Sequence, residues 1–209
     1  MFVENIMIKD IITLREDSKI SEAIILMQKN RIRHIPVIDD NNRILGIISD
    51  RDLRDASPSI LVNTEDRSYL ERPVSEIMTE NVITGSPLDF IEDVASSFYE
   101  YKISCLPITR NDKLLGIITE SDLLKTFVEL TGAQQPGSRL EVLVDNSAGM
   151  LSDLTAEIAK KGINIISIFV YPGNDEYQRL LVFRLKIMNP AELVKTLKEK
   201  GYEVAWPTF

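Results

Sequence analysis

The sequence predicts an α+β fold, with mixed helix and sheet, divided into two domains. The first observation is an internal repeat: residues 31–53 recur as residues 102–124, and Pro36 aligns with Pro107 at an offset of 71 positions. The second is composition, because 44% hydrophobic and 27% charged residues in a chain of 209 are typical of a globular protein with a sizeable core. The third is charge, because residues 139–209 hold 9 basic and 9 acidic residues, while the preceding part, with 15 and 23, carries the whole net charge of −8.

Each repeat is predicted to run as strand, helix, two strands and helix. Residues 3–13 align with residues 74–84 at the same offset of 71 and are expected to form the opening strand. Ser18 and Asp89 are expected to cap the helices that follow, whose apolar residues recur at helical spacing. Two strands rich in β-branched residues, joined by polar turns, come next in both copies. Two such similar units are expected to stack and to frame a shared cleft.

Domain boundaries follow from the limits of the repeat and from composition. We place the first repeat at residues 1–60 and the second at residues 74–130. Residues 61–73 are expected to be a polar connector with room for a short helix. Residues 131–138, with the sequence TGAQQPGS, have the composition of an interdomain linker. Residues 139–209 then form the second domain.

The second domain is predicted to have the element order βαββαβ. Its first helix is expected to direct Leu151, Leu154 and Ile158 inward and to end at Gly162. Two strands follow, then a second helix that opens with a proline and ends at Gly201, and a last strand. This order is that of the ferredoxin-like fold, an antiparallel sheet with two helices on one face.

Composition argues against several classes of function. With one cysteine, Cys105, and one histidine, His34, the chain has no internal disulfide and cannot assemble a Cys/His zinc site by itself. Cys105 is expected to be an inert thiol in the core. The net charge of −8 disfavours general binding to nucleic acid. No apolar run reaches the roughly 18 residues of a membrane helix, and the N-terminus lacks a signal-peptide core, so we expect a cytoplasmic protein with no membrane or nucleic-acid partner.

One motif occurs in both repeats, at the junction between the last strand and the last helix. It reads GIISDRD in the first repeat, with Ser49 and Asp52, and GIITESD in the second, with Thr119 and Asp122. The glycine allows another segment to approach the backbone closely. One interpretation is a capping box, in which hydroxyl and carboxylate satisfy the first helical amides. The other is a ligand site, because free amides suit phosphate and a carboxylate can accept two hydrogen bonds from a ribose diol.

A basic cluster precedes the second predicted strand of the first repeat. It consists of Lys29, Arg31, Arg33 and His34. Cations are favourable at the C-terminus of a helix, so the cluster is either a solvated helix end or a site for an anion. The residues alone leave both interpretations open.

These motifs resemble the cystathionine-β-synthase (CBS) domain pair, also called a Bateman module, over nearly all of residues 1–128. The resemblance implies that an adenine nucleotide, AMP, ADP or ATP, binds between the repeats as a regulatory ligand. It places Asp52 and Asp122 on the ribose hydroxyls. It places Ser49 and Thr119 near the ribose or the phosphates.

The same resemblance implies positions for the base and the phosphates. Adenine is expected near the first strand of each repeat, at Ile12, Thr13, Ile83 and Thr84. Phosphates are expected near Arg33 and His34 in the first repeat. The second repeat has Ser104 and Cys105 at the equivalent positions, so we predict that the two clefts differ in their preference for phosphates.

Residues 139–209 resemble an ACT domain, through the turn DNSAGML, the sequence GINI after the helix, and the element order. The resemblance implies side-by-side pairing into a homodimer and an amino acid at the interface, held by Asn146, Gly149 and Asn164. The other interpretation is that the two asparagines only support a turn and an edge strand. Val144 stands where some amino-acid binders of this kind have a polar or histidine side chain.

A CBS pair followed by an ACT domain is similar to the acetoin-utilisation protein (AcuB) family. Together the resemblances imply a regulatory sensor that controls a metabolic partner, such as an enzyme of acetoin utilisation, with no catalytic residues, catalytic cofactor or metal. A lone histidine and a lone cysteine also offer no plausible triad. The alternative is a constitutive interaction module that dimerises and docks on an enzyme or transporter without a small ligand. A nucleotide hydrolase is disfavoured, because the sequence has no GxxxxGK[ST] loop.

Overall fold

The structure is a computed structural model that describes residues 1–57 and 68–208. The chain comprises two compact units, Met1–Leu123 and Leu124–Phe209. Residues 61–67 of the predicted connector lie outside the described residues, and the remainder of the connector includes a 3-10 turn at Ser68–Glu71.

The part of the chain up to Thr131, which includes the first unit and the rest of the helix that crosses its boundary at Leu123, contains two copies of one element order: a 3-10 turn, a helix, a hairpin and a second helix. The elements of the first copy are the turn Val3–Asn5, α1 (Ile20–Asn30), β1 (His34–Ile38), β2 (Ile44–Ser49) and α2 (Asp50–Asp55). The elements of the second copy are the turn Val74–Glu76, α3 (Ile91–Tyr101), β3 (Cys105–Arg110), β4 (Lys113–Thr119) and α4 (Glu120–Thr131). Each hairpin is a separate two-stranded antiparallel sheet. The predicted helix, two strands and helix are confirmed in both repeats.

The opening strand predicted for each repeat does not form. In the first repeat, Ile8 makes a single β-bridge to Ile117 of β4, and Leu14 makes a single bridge to Val37 of β1. The second repeat makes both bridges at equivalent positions. The prediction over residues 3–13 was wrong because the two bridges belong to different hairpins, so the segment crosses from one repeat to the other instead of extending one ladder.

The predicted helix caps Ser18 and Asp89 were also wrong. Helices α1 and α3 begin one residue further along than these caps require, and neither has a side-chain cap. The first amide of α1, at Ile20, donates to the carbonyl of Arg72 at 3.0 Å, and the first amide of α3 donates to the carbonyl of Met1 at 3.1 Å. Backbone carbonyls from distant segments therefore satisfy amides that a side chain was expected to satisfy.

The motif glycines allow the close approach that the sequence predicted. A Cβ atom on Gly46 would lie 2.5 Å from the sulfur of Met78, and one on Gly116 would lie 2.5 Å from the sulfur of Met7. Each glycine therefore accommodates a methionine from the opposite repeat, and a larger residue would force that methionine to move.

The two cores of the first unit exchange residues. Val3 comes from the first repeat but is fully buried in the core of the second, with Val94 and Ile108. Val74 comes from the second repeat but is fully buried in the core of the first, with Ile20. Because burial of an apolar side chain stabilises the folded state, each repeat contributes to the stability of the other.

The second unit is a four-stranded antiparallel sheet with two helices. Its elements are β5 (Ser138–Asp145), α5 (Met150–Lys160), β6 (Ile165–Pro172), β7 (Gln178–Leu185), α6 (Ala191–Glu199) and β8 (Glu203–Trp206). The strand order is β6-β7-β5-β8, with antiparallel ladders throughout. This is the predicted ferredoxin-like arrangement.

The core of this unit lies between the sheet and α5 and α6. The predicted inward residues Leu154 and Ile158 are fully buried, but Leu151 is 41% exposed. Helix α5 begins at Met150, which packs against the core four residues before Leu154 and takes the place expected for Leu151. Gly162 has the left-handed φ of 67°, and the glycine after α6 has one of 87°, as their predicted roles as helix stops require.

Candidate functional site

The two copies of the repeated motif form complete capping boxes. Asp52 Oδ2 accepts hydrogen bonds from the Ser49 amide and hydroxyl, both at 2.7 Å, and Ser49 Oγ accepts one from the Asp52 amide at 3.3 Å. Asp122 Oδ2 accepts from the Thr119 amide at 2.9 Å and from its hydroxyl at 2.6 Å. The capping interpretation is confirmed. It does not exclude a ligand, because both of these bonds to Asp52 end on the same oxygen, Oδ2.

The first cleft, here called the Thr119 cleft, has a volume of about 250 Å³. Thr119 comes from the second repeat, whereas Ile12, Arg33 and His34 on the opposite wall come from the first. The residues that line the cleft are Ile8, Asp10, Ile11, Ile12, Arg31, Ile32, Arg33, His34, Ile117, Thr119 and Ser121. The cleft therefore joins the motif of one repeat to the opening segment and the basic cluster of the other.

The second cleft, here called the Ser49 cleft, has a volume of about 260 Å³ and reverses this arrangement. Its motif comes from the first repeat and its opposite wall from the second. The residues that line it are His34, Ile47, Ser49, Asp50, Arg51, Asp52, Thr79, Lys102, Ile103, Ser104 and Cys105. Residues 102–105 occupy the place that residues 31–34 occupy in the Thr119 cleft, at the sequence offset of 71.

The predicted base-binding residues do not all lie in the clefts. Ile12 lines the Thr119 cleft, but Thr13 does not line either of the two clefts. Ile83 and Thr84 also lie outside both clefts, and Ile83 is 38% exposed. In the second repeat, Thr79 is the residue of the opening segment that lines the Ser49 cleft.

Two cationic residues in equivalent positions line the clefts but were not among the predicted nucleotide contacts, although one of them, Arg31, belongs to the basic cluster that was considered as an anion site. Arg31 follows α1 and lines the Thr119 cleft, and Lys102 follows α3 and lines the Ser49 cleft. Both have left-handed backbones, with φ of 54° and 55°. Residues other than glycine rarely adopt this backbone conformation, and residues that do are found more often than average at functional sites. The sequence signal that could have identified both residues is that their positions align at the repeat offset of 71.

His34 is half-buried and lines both clefts. Its Nε2 atom lies 3.1 Å from Oγ of Ser104, the residue of the second repeat that aligns with Arg33. Burial, assisted by the neighbouring Arg33, lowers the pKa of His34, and nearby carboxylates, among them Asp50, only partly oppose this. The imidazole is therefore neutral at pH 7, so Arg31 and Arg33, rather than His34, carry the positive charge of this wall.

Cys105 is 6% exposed, and burial raises the pKa of its thiol to about 12. A thiol with such a pKa holds almost no thiolate at neutral pH, and the thiolate is the reactive form. The prediction of an inert core cysteine is confirmed.

The residues predicted to bind an amino acid are all exposed, but one chain does not bring them together. Asn146 follows β5 and donates from Nδ2 to the Glu176 carbonyl at 3.1 Å, close to Gly149 at the start of α5. Asn164 precedes β6, at the end of the sheet where β5 begins, and its carbonyl accepts from the Lys186 amide at 2.8 Å. The length of β5, roughly 3.3 Å per residue, separates the two asparagines.

Residues 1–57 and 68–208 contain no cluster of three or more histidine, cysteine or acidic side chains suited to a metal ion. Within the same residues, every helix is too short or too polar to cross a membrane.

Comparison with protein families identifies the domains that form these clefts and the C-terminal sheet. The CBS domain family matches residues 3–59 and 74–129, and the ACT domain family matches residues 138–201. The chain belongs to the CBS domain family. It carries two CBS domains and a C-terminal ACT domain, as the sequence predicted.

Solved structures of CBS pairs resemble the first part of the chain. A putative acetoin utilization protein (AcuB) from Vibrio cholerae is 32% identical, with a TM-score of 0.57 over 66% of this chain and 98% of that one. The CBS domain pair of protein MJ0100, in complex with 5′-methylthioadenosine and S-adenosyl-L-methionine, is 28% identical, with a TM-score of 0.54 over 65% and 98% of the two chains. CBSX2 in complex with AMP is 25% identical, with a TM-score of 0.53 over 61% and 96%.

The curated relatives of this CBS-domain protein include enzymes, and the chain matches only a part of each of them. A homoserine O-acetyltransferase of Methanococcus vannielii is 40% identical over 126 residues, which are 60% of this chain and 24% of that protein. An inosine-5′-monophosphate dehydrogenase of Aquifex aeolicus is 30% identical over 190 residues, which are 90% of this chain and 37% of that protein. The chain therefore spans about a quarter to a third of the length of these two relatives.

Proposed function

We propose that this CBS pair is a non-catalytic regulatory sensor that binds AMP, ADP or ATP between its two repeats. The observation that carries the proposal is the crossed geometry of the clefts. In each cleft, the Ser or Thr of a Ser/Thr-x-x-Asp motif from one repeat faces a cationic wall from the other, with apolar side chains between them. That combination suits a ribose, a phosphate and a flat base. Asp52 lines the Ser49 cleft, whereas Asp122, which is hydrogen-bonded to Thr119, does not line the Thr119 cleft. The adenosine compounds bound to the CBS pairs of MJ0100 and CBSX2 support the same ligand class.

The Thr119 cleft is the better site for a ligand with phosphates. Its charged lining residues are Arg31, Arg33 and Asp10, which leave one net positive charge. The Ser49 cleft has two cationic and two carboxylate lining residues, which leave none. In addition, α4 begins beside Thr119 and has 12 residues, so the positive end of its dipole favours an anion. We therefore place a phosphorylated nucleotide in the Thr119 cleft and an uncharged nucleoside in the Ser49 cleft.

A thermal-shift panel of AMP, ADP, ATP and adenosine on the full chain tests the sensor. A ligand at about 100 times its dissociation constant adds about 2.7 kcal/mol of stability, which is a clear shift in melting temperature. If the sensor proposal is right, at least one nucleotide raises the melting temperature and Asp122→Ala reduces that rise. If no adenine compound shifts melting or releases heat at millimolar concentration, the proposal fails.

The second candidate is a constitutive interaction module without a small ligand. Its support is that both capping boxes are complete in the protein alone, so the motif has a structural role that needs no nucleotide. This candidate predicts that Asp52→Ala and Asp122→Ala lower stability by about 1 kcal/mol through loss of the cap, without any ligand-dependent effect. Measuring melting of these variants with and without nucleotide separates it from the sensor.

For the ACT domain, we propose homodimerisation through an edge of its sheet, because exposed edge strands are safest when paired. Because one chain keeps Asn146 and Asn164 at opposite ends of the sheet, an amino-acid site that uses both needs the loop of one copy and the strand start of another. Light scattering on the full chain tests the dimer. Titration with amino acids, compared with Asn146→Ala and Asn164→Ala, tests the site.

The regulated partner that we propose is an enzyme of acetoin utilisation, and the support for it is the likeness to AcuB from Vibrio cholerae. The cytoplasmic location stays a prediction.

A further inference from the structure

The ACT sheet has a second, outward face that α5 and α6 do not cover. Side chains alternate along a strand, so Val182 and Arg184 lie on the face opposite to Phe183, which is buried in the core. Residues 124–137 belong to the same compact unit, and this segment contacts the sheet through hydrogen bonds from Ser167 to the Thr131 carbonyl at 2.8 Å and from Arg184 to the Gln135 carbonyl at 2.8 Å. The ring centroid of Phe127 lies 6.3 Å from that of Phe169 of β6.

A cavity of about 300 Å³ lies between this segment and the sheet. Its walls include the aromatic side chains of Phe127, Phe169 and Tyr171, together with the two guanidinium groups of Arg139 and Arg184. Such a volume is at the lower end of the range for small-molecule sites, which combine apolar walls with a few placed polar groups. We call it the Arg184 cavity. The two asparagines proposed for an amino acid do not line it.

Arg184 has a buried hydrogen-bond donor, its Nε–H, that lacks an acceptor. Its Nη2 donates to the carbonyl of Gln135 at 2.8 Å and lies 3.5 Å from that of Ala133, and both acceptors are neutral. Its Nε–H is buried and has no hydrogen-bond partner. Within residues 1–57 and 68–208, no carboxylate forms an ion pair with it. Buried polar groups in proteins are nearly always paired, and an unpaired buried cationic donor is costly.

The charge of the cavity indicates the kind of acceptor that is missing. Arg139 Nε donates to the Glu141 carboxylate at 2.5 Å, so two guanidinium groups and one carboxylate leave a single positive charge. One net positive charge matches a monoanion better than a phosphate. A guanidinium fork suits the planar geometry of a carboxylate. An amino acid fits poorly, because its ammonium group would add a third positive charge.

We infer that the Arg184 cavity binds a small organic monocarboxylate. The carboxylate pairs with the guanidinium group of Arg184, which lines the cavity, and the apolar part of the molecule packs against Phe127 and Phe169. This site is separate from the nucleotide clefts and from the proposed amino-acid interface.

Benzoate is a suitable probe, because it has one carboxylate and one flat apolar ring. The full chain is titrated with benzoate by calorimetry and by NMR of the arginine Nε–Hε resonances, with benzamide and inorganic phosphate as parallel arms. We expect benzoate to bind and to shift the Arg184 Nε–Hε resonance, while benzamide and phosphate do neither. Failure of benzoate to bind, or equal binding of phosphate or benzamide, would overturn the inference.

Substitutions of Arg184 test whether benzoate binds in the Arg184 cavity. Arg184→Met should weaken benzoate at least about tenfold, as expected for loss of a charge-assisted hydrogen bond. Arg179→Met is the matched control, because Arg179 is on the same strand but does not line the cavity, and it should leave affinity unchanged. If Arg184→Met does not fold, Arg184→Lys keeps the charge, loses Nε–H, and should show the same weakening. Wild-type affinity in the folded Arg184 variant would overturn the assignment.

Discussion

Arg33→Ala tests whether the Thr119 cleft holds a phosphate. Arg33 lines the cleft beside a neutral His34, so it is, with Arg31, one of the two guanidinium groups that a phosphate would meet on this wall. Hydrogen bonds to charged groups contribute about 1.5–3 kcal/mol. Arg33 is exposed, so solvent screening favours the lower figure, and about 1.5 kcal/mol corresponds to about a tenfold loss of affinity.

The assay is calorimetry of the full chain with AMP and with adenosine at two salt concentrations. Arg33→Ala should weaken AMP about tenfold and leave adenosine unchanged, and the loss should shrink at about 1 M salt, where the Debye length is about 3 Å. Arg43→Ala is the matched control, because it removes an equally exposed charge from the same repeat outside both clefts. An equal loss for adenosine would refute the phosphate contact, and so would an equal loss in the control.

The remaining predictions concern stability and reactivity. Val3→Ala should lower the free energy of unfolding in urea by about 1–3 kcal/mol, because the valine is fully buried in the other repeat's core, whereas Val170→Ala, at a 55% exposed site, should change it by less than about 0.5 kcal/mol. Equal effects would contradict the exchange of core residues. Because the pKa of His34 is lowered in the folded protein, its contribution to stability is complete above pH about 6.5 and is lost as pH falls through the folded pKa. His34→Gln should flatten this decline as pH falls below about 6.5, and parallel curves would contradict the shift. Cys105 should resist maleimide at pH 7.5 and react fully in urea; stoichiometric labelling of the native chain would show an accessible thiolate.

Local signals and the repeat predicted most of the fold. The repeat offset, 71 positions before the hairpin loop and 70 after it, correctly paired the helices and hairpins of the two CBS domains, and it placed Gly46 and Gly116 in equivalent close contacts. The opening strand and both helix caps could not be predicted in the same way. Their amides and carbonyls pair with residues far away in sequence, such as Ile8 with Ile117, and local propensity contains no information on such partners.

Several residues that line the clefts were predicted from the sequence, but the assembly of the clefts was not. Ser49, Asp52, Thr119 and Asp122 were identified from spacing alone, because a capping box and a ribose contact use the same residue types. That Thr119 faces Arg33 rather than residues of its own repeat follows from the crossing of the opening segments, which is a tertiary feature. The sequence could not reveal it.

The central claim, that nucleotide sites are assembled across the repeats, is tested most directly by titrating AMP into Asp52→Ala and Asp122→Ala and comparing both with Arg33→Ala. The crossed arrangement predicts that Asp122→Ala loses the same AMP site as Arg33→Ala, with affinity lower by roughly 1.5–3 kcal/mol, although the two residues belong to different repeats. It also predicts that Asp52→Ala keeps that site. Melting of each variant without ligand controls for loss of the cap. If Asp52→Ala abolishes the AMP site and Asp122→Ala leaves it intact, the site is built within one repeat and the account is wrong.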